Sequence, residues 1–190
     1  RKIRFHAGNY RGIHLTTILS KTAERIIGCP LIPFLQKKCF GIHQWAFTPR
    51  LSARDLVTAL MMSWILAVCC GSKVAAYLND ITGAFDRVAR DYMLAKLYNA
   101  GVGTKYLNFL ASYLQPRKAV VVVEGISSEE IEIANQVFQG TVLGPPLWNT
   151  FFAEVVHPAS RLGGKPSIFA DDLNVFQEFD RTIANEDCKK

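Results

Sequence analysis

Three aspartates stand where short apolar runs give out. Asp80 follows a run over residues 73–78 (Val74, Ala75, Ala76, Tyr77, Leu78), and Asp171 and Asp172 separate two others, 167–170 and 173–179. If these runs are strands lying centrally in one sheet, Asp80 and Asp171 converge although 91 positions separate them. Ionised carboxylates a few Å apart repel strongly, so they share a proton or hold divalent cations, and hard oxygen donors favour Mg2+. Two such ions about 4 Å apart can activate an attacking hydroxyl and stabilise a leaving pyrophosphate. Taken alone, Asp171-Asp172 reads as no more than a polar hairpin tip, because Asp is a common turn residue.

Positioning those acids falls to the elements around them. Residues 16–27 place Ile18, Leu19, Ala23, Ile26 and Ile27 at helical spacing, with Gly28 and Pro30 as a stop signal. Residues 30–49 carry aromatics and turn residues without a clean period. Ser52 with Asp55 three positions on opens a second helix to about residue 70. The run 73–78 is then expected as a buried strand. Asp86 is expected to cap a helix reaching residue 100, broken by Gly101 and Gly103, and 105–114 forms another, stopped by Pro116. Residues 118–124 and 130–138 flank a Gly125-containing connection and predict an antiparallel ribbon. Gly144-Pro145-Pro146 leads into a helix over 147–161 that Gly163-Gly164 closes, and 167–170 with 173–179 predicts a hairpin with both acids at its tip. Helices followed by β-α-α-β-β-α-β-β make an α+β domain.

Length and composition narrow the possibilities. A chain of 190 residues, 49% hydrophobic and 20% charged, without a repeat or low-complexity tract, buries one core and is neither a disordered tail nor a solenoid. Its five cysteines are odd in number and form no C-x-x-C pair, which argues against a disulfide framework or a structural zinc and for a reducing, intracellular setting. Nothing marks the chain for secretion. Residues 56–72 lack a charge but include Thr58 and Ser63 and fall short of the roughly 20 residues a bilayer needs, so a buried core helix is expected there and no membrane partner. Of the net charge of +6, residues 1–50 hold an excess of +8, nine Lys and Arg against Glu24 alone, and the remainder carries −2. A basic front end suits a polyanion such as a nucleic acid or a nucleotide triphosphate, and equally a solvated face.

Joined together, the local patterns say more. Asn9-Tyr10-Arg11-Gly12-Ile13-His14-Leu15 with Ser20-Lys21 and Glu24-Arg25, the stretch Gln44 to Asp55, Asp80-Ile81-Thr82-Gly83-Ala84-Phe85-Asp86, Gln139-Gly140-Thr141-Val142-Leu143-Gly144-Pro145-Pro146-Leu147-Trp148, and Phe169-Ala170-Asp171-Asp172 follow one another in that order. In sequence and order they resemble the blocks of the reverse transcriptase domain of non-LTR (LINE-type) retrotransposons: N-Y-R-P-I-x-L…S-K-x-x-E-R, Q-x-G-F-R-x-x-R-S-x-x-D, D-x-x-x-A-F-D, Q-G-x-x-L-G-P-x-L-[FW] and [FY]-A-D-D. The likeness runs from Asn9 to Asp172, nearly the whole chain, and is specific as a joint pattern although each piece alone is weak.

The resemblance implies a right-hand polymerase palm over residues 73–190, an antiparallel sheet with helices on one face, and part of a helical fingers subdomain over 1–72. It assigns two Mg2+ ions, with Mn2+ as a possible substitute, to Asp80, Asp171 and the backbone carbonyl of Ile81, with Asp172 completing the acidic turn. Phe85 falls where the family places the aromatic that excludes a 2′-hydroxyl; Arg11 would approach the triphosphate, and Gln139 and Gly140 would line the nucleotide and template side. The implied partners are an RNA template, a DNA primer and dNTP, together with other modules of a parent polyprotein. Gly12 stands in place of the usual proline, Asn79 in place of an apolar residue before Asp80, and the second block lacks its glycine. No thumb, and no later palm block with its lysine, is recognisable, so the chain is expected to be a fragment. Two rival readings keep the fold: a nucleic-acid-binding palm remnant without turnover, and an RNA-templated RNA polymerase, from which the A-F-D motif and Ala170 before Asp171 point away.

Overall fold

The computed structural model describes residues 13–81, 83–134 and 137–183. In chain order these form helices α1 (Ile18–Lys38) and α2 (Ala53–Cys69), strand β1 (Lys73–Asp80), a 3-10 turn (Ala84–Arg87), and helices α3 (Arg90–Asn99) and α4 (Thr104–Tyr113). Short strands β2 (Arg117–Ala119), β3 (Val122–Val123), β4 (Ile126–Ser127) and β5 (Ile131–Ile133) follow. Helix α5 (Gly144–Phe152), a second 3-10 turn (Ala153–Val155), helix α6 (Val156–Arg161) and strands β6 (Lys165–Phe169) and β7 (Asp172–Phe179) complete the fold. It is a mixed helix and sheet domain, as the sequence implies.

Helix α1 overrides its stop signals. The pattern ends it at residue 27, yet it continues through Gly28, Pro30 and Pro33 to Lys38. Each proline withholds one backbone donor, so two rungs of the helix are missing. Burial of Leu31 and Leu35 beyond Pro30 offsets that loss. Gly28 is a packing residue, not a terminator: a Cβ there would lie 3.4 Å from Cδ2 of Leu143, at the foot of α5.

Helix α2 starts where expected. The Ser52 hydroxyl accepts from Asp55 N, and the Asp55 carboxylate accepts from Ser52 N, which closes a reciprocal cap. Its expected burial is not met. Leu56 and Ala67 are buried, whereas Val57, Met61, Met62, Ile65, Leu66 and Val68 are exposed, so α2 rests one narrow stripe on β1 and β6. Among the described residues no helix is long and apolar enough to cross a membrane.

The main sheet is antiparallel in the order β1-β7-β6. Strand β7 is therefore central and β1 is an edge, with Ala76, Tyr77 and Leu78 exposed, which corrects the expectation of a buried β1. Residues 43–45 extend the sheet past β6: Ile168 N donates to His43 O at 2.8 Å and Trp45 N to Ile168 O at 2.9 Å. The core lies between this sheet and α1, α3, α4 and α5, around Leu35, Met93, Leu97, Leu110, Leu143, Leu147, Trp148 and Ile168.

Two further expectations need correction. Asp86 sits in the first 3-10 turn and does not cap α3, whose N-cap is Ala89, with no side-chain bond. The helix expected over 147–161 is broken at Ala153–Val155, because Pro158 has no N–H to return to the Glu154 carbonyl and is tolerated only in the first turn of a new helix. An antiparallel ribbon forms around Glu124-Gly125, where both residues have positive φ, but as two short pieces, β2 with β5 and β3 with β4, and its second strand ends at Ile133 and does not reach residue 138 as expected.

Candidate active site

The register of the sheet fixes the acids. Phe169 pairs with Asp172, so the hairpin turn is Ala170-Asp171, one residue earlier than the sequence suggests, and Asp172 is the first residue of β7. On its other side Asp172 pairs with Asp80, the last residue of β1. Cross-strand partners carry Cβ atoms about 4.5–5.5 Å apart. The residue directly opposite Asp80 is thus Asp172, with Asp171 next to it in the turn. Asp80 and Asp172 are exposed and Asp171 is half-buried. Partial burial, then the charges of Asp171 and Asp80, hold the Asp172 carboxyl above the usual range.

This donor set suits a hard divalent cation, whose charge would relieve that repulsion. Among the described residues no three carboxylate, imidazole or thiolate side chains close around one point. Mg2+ does not require such a cage, since it usually takes one or two carboxylates and completes its shell with water and substrate phosphate.

The turn that carries Asp171 is strained and clamped. Ala170 has φ 58°, in the left-handed region, which costs a residue with a Cβ about 1–2 kcal/mol. Both of its backbone polar groups are gripped from outside the hairpin. The Ala170 N–H donates to Gln44 Oε1 at 3.1 Å, and Trp148 Nε1 donates to the Ala170 carbonyl at 2.9 Å. Gln44 Oε1 also accepts from Ala46 N at 3.0 Å, and Asn149 Nδ2 donates to Ala46 O at 2.8 Å.

The remaining candidates frame this centre. Ile81, just past Asp80, is half-buried and packs on the core. Phe85 is half-buried in the first 3-10 turn, with its ring stacked on Trp148 at 5.4 Å. Its carbonyl accepts from Val137 N at 2.9 Å, which ties the turn to the segment leading to Gln139. Gln139 is half-buried and Gly140 exposed; Gly140 has φ 85°, and a Cβ there would stand 3.2 Å from the His14 carbonyl. The loop they begin ends at α5, where the buried Glu24 carboxylate accepts from Val142 N at 2.7 Å and Leu143 N at 3.1 Å. Arg11 lies outside the described residues.

A family model described as reverse transcriptase (RNA-dependent DNA polymerase) matches residues 2–189. The chain belongs to the reverse transcriptase family. Two relatives from Drosophila melanogaster are named probable RNA-directed DNA polymerases, one from transposon X-element and one from transposon BS. The first is 29% identical over 172 residues, 88% of this chain, and the second 30% identical over 171 residues, 87% of this chain. Each match covers 19% of the relative, so the chain spans about a fifth of their length. The likeness read from the motif blocks is met at the level of the family, and the transposon origin of both relatives agrees with it.

For a reverse transcriptase domain, the motif letters have a structural content that their chemistry did not announce. Gln44, Glu24 and Trp148 each belong to one of the motif blocks, yet the spacing gives none of them a role. All three are buried and bond to backbone groups distant in sequence. The only signal available was their place in the motif blocks, which spacing alone does not interpret. A cleft of about 820 Å³ between α1, α3 and the 153–160 region, lined among others by Lys38, His43, Lys96 and His157, includes none of the three aspartates.

Proposed function

We propose that this chain is the catalytic core of an RNA-directed DNA polymerase, with residues 73–190 as palm and 1–72 as part of the fingers. The single observation that carries the reading is the cross-strand pair Asp80 and Asp172 beside Asp171, in a chain whose family match covers residues 2–189. Asp80 and Asp171, with the Ile81 carbonyl, are the oxygen donors for two divalent ions, and Asp172 supplies the further negative charge that draws cations to the turn. When bound, the metal supplies acidification of the primer 3′-hydroxyl and neutralisation of charge building on the α-phosphate of dNTP. The protein's own part is to hold the carboxylates in place at the open end of β1 and β7, where a primer terminus can reach them.

Phe85 lies one turn beyond Asp80 and presents the sugar side of the nucleotide site, held there by its stack on Trp148. Gln139 and Gly140 line the nucleotide and template side, and Arg11 meets the triphosphate. The partners are RNA template, DNA primer and dNTP, within a longer polyprotein.

The test is primer extension on an RNA template by the polyprotein that carries this domain. Asp80→Asn or Asp171→Asn is expected to lower the rate by on the order of 10³-fold with primer-template binding nearly intact, because the ions act mainly in the transition state. Phe85→Val in the same assay should raise rNTP use relative to dNTP. Extension that survives Asp80→Asn would falsify the metal assignment, and an unchanged rNTP to dNTP ratio with lowered stability would reduce Phe85 to packing.

A further inference from the structure

Gln44 is placed by its backbone and spends its side chain elsewhere. Residues 43–45 run beside β6, with His43 O and Trp45 N bonded to Ile168, so the sheet alone fixes where Gln44 stands. The residue is 2% exposed. Its amide oxygen bridges two backbone donors, Ala46 N and Ala170 N, an arrangement that also identifies which amide atom is oxygen. Its Nε2 is buried with no partner among the described residues. A buried donor without a partner is unfavourable, and a leucine or methionine would fill the same space without that cost. The bonds from Ala46 N and Ala170 N are what the glutamine adds, and the second of them reaches the acidic hairpin.

That bond falls on the one residue of the turn with positive φ. A non-glycine residue stays in this conformation only where its surroundings over-determine it. Without the Gln44 oxygen, the Ala170 N–H loses its acceptor and the peptide is free to relax toward negative φ. Asp171 follows directly, so its position shifts relative to Asp80 and Asp172.

We propose that Gln44 is the positioning residue of the acidic hairpin: by gripping the Ala170 N–H it holds the Ala170-Asp171 turn in the geometry at which Asp80, Asp171 and Asp172 bind a divalent cation. This rests on the assignment of those aspartates as the metal site. Trp148, through Nε1 and the Ala170 carbonyl, is the second grip on the same residue.

The experiment uses the 190-residue chain and Mn2+ as the probe, with bound ion read from water-proton relaxation and amide exchange followed by NMR. Gln44→Met keeps the length and removes the oxygen; Gln44→Asn keeps the amide one methylene too short; Gln44→Glu restores an oxygen acceptor at full reach. The Met and Asn variants should each weaken Mn2+ binding about tenfold, the usual scale for removing a group that orients a metal ligand. They should also accelerate Ala170 amide exchange at least about tenfold, with Leu97 and Leu110 amides in the core unchanged, while Gln44→Glu keeps slow exchange and at least wild-type affinity. Mn2+ affinity within about twofold of wild type in Gln44→Met or Gln44→Asn overturns the proposal, as does equal loss in Gln44→Glu and Gln44→Met. Asp80→Asn separates the two layers: if it leaves Mn2+ binding unchanged, the metal assignment has failed and the role of Gln44 falls with it. If Asp80→Asn abolishes binding and the Gln44 variants do not weaken it, only the role of Gln44 is wrong.

Discussion

Glu154 joins two side chains of α3 to the 3-10 turn that follows α5. Lys96 Nζ lies 3.2 Å from Glu154 Oε1 and donates to the Phe151 carbonyl at 3.1 Å, and Tyr92 Oη donates to Glu154 Oε2 at 3.1 Å. The bond from Lys96 is the largest cause that holds the Glu154 carboxyl below its usual range. A lowered carboxyl means that the fold prefers the ionised form. Its stabilisation is present above the ordinary value near 4.5 and is lost as pH falls through the lowered native value. Glu154 is half in solvent, so screening limits the contribution to about 0.5 kcal/mol. Glu154→Gln should therefore lower Tm at about pH 7 by about 1–2 °C, and the gap should close in acid below the native carboxyl range. A gap that persists unchanged in acid would assign the effect to packing. Sequence spacing could not pair Lys96 with Glu154, 58 positions away; it did mark Asp80, Asp171 and Asp172 as acids ending apolar runs, which only the joined motif blocks set apart from an ordinary polar turn. It placed the turn one residue late, since an alanine at positive φ is not a local preference and is held by Gln44 and Trp148.

Helix α5 brings Trp148 under the acidic turn, and its N-terminus is held by a residue of α1. Glu24 is 2% exposed and accepts from Val142 N and Leu143 N, two donors that the helix start leaves without partners. A carboxylate also complements the positive end of the helix dipole. Tyr113 stands beside it; burial pushes its hydroxyl up to about 12, so the phenol is neutral in the working range. Glu24→Ala leaves both donors buried without an acceptor, a loss of about 2–4 kcal/mol. In a chain of this size that lowers Tm by roughly 5–12 °C, whereas Glu24→Gln, which keeps an oxygen, should lose less than half as much. Thermal melts by circular dichroism decide it, and a Glu24→Ala protein melting within about 2 °C of wild type would mean that water replaces the carboxylate. The elements themselves were legible where local signals agree with tertiary needs, as in the Ser52 cap of α2 or the Glu124-Gly125 turn. They were not legible where packing overrules local chemistry: α1 passes two prolines to bury Leu31 and Leu35, and apolar β1 and α2 keep much of their surface exposed.

At the scale of the whole chain, charge is unevenly spread along the sequence. The outer face of α2 (Met61, Met62, Ile65, Leu66) and the exposed end of β1 (Tyr77, Leu78) are apolar, while the first 50 residues hold the positive excess of +8. The acidic turn lies in the part of the chain whose net charge is −2, so the carboxylates alone would repel a phosphate backbone, and under the proposed function attraction of a primer-template duplex would fall to the basic front. Neutralising a phosphate releases condensed counterions, so the affinity falls with salt in proportion to the number of phosphates neutralised. Replacing Lys2, Arg4 and Arg11 together by alanine should weaken binding of an RNA–DNA duplex and reduce the slope of log K against log salt by roughly 0.7–0.9 for each phosphate no longer neutralised. Because none of the three belongs to the acidic turn, Mn2+ binding by the same variant should stay within about twofold of wild type. The slope, measured by fluorescence anisotropy between about 50 and 200 mM salt, separates this from a loss of folded protein, which lowers the active fraction and leaves the slope alone. An unchanged slope would move phosphate binding to Arg1, Lys21, Arg25, Lys37, Lys38 and Arg50, the other Lys and Arg of the front end, and take Lys2, Arg4 and Arg11 out of the nucleic-acid interface.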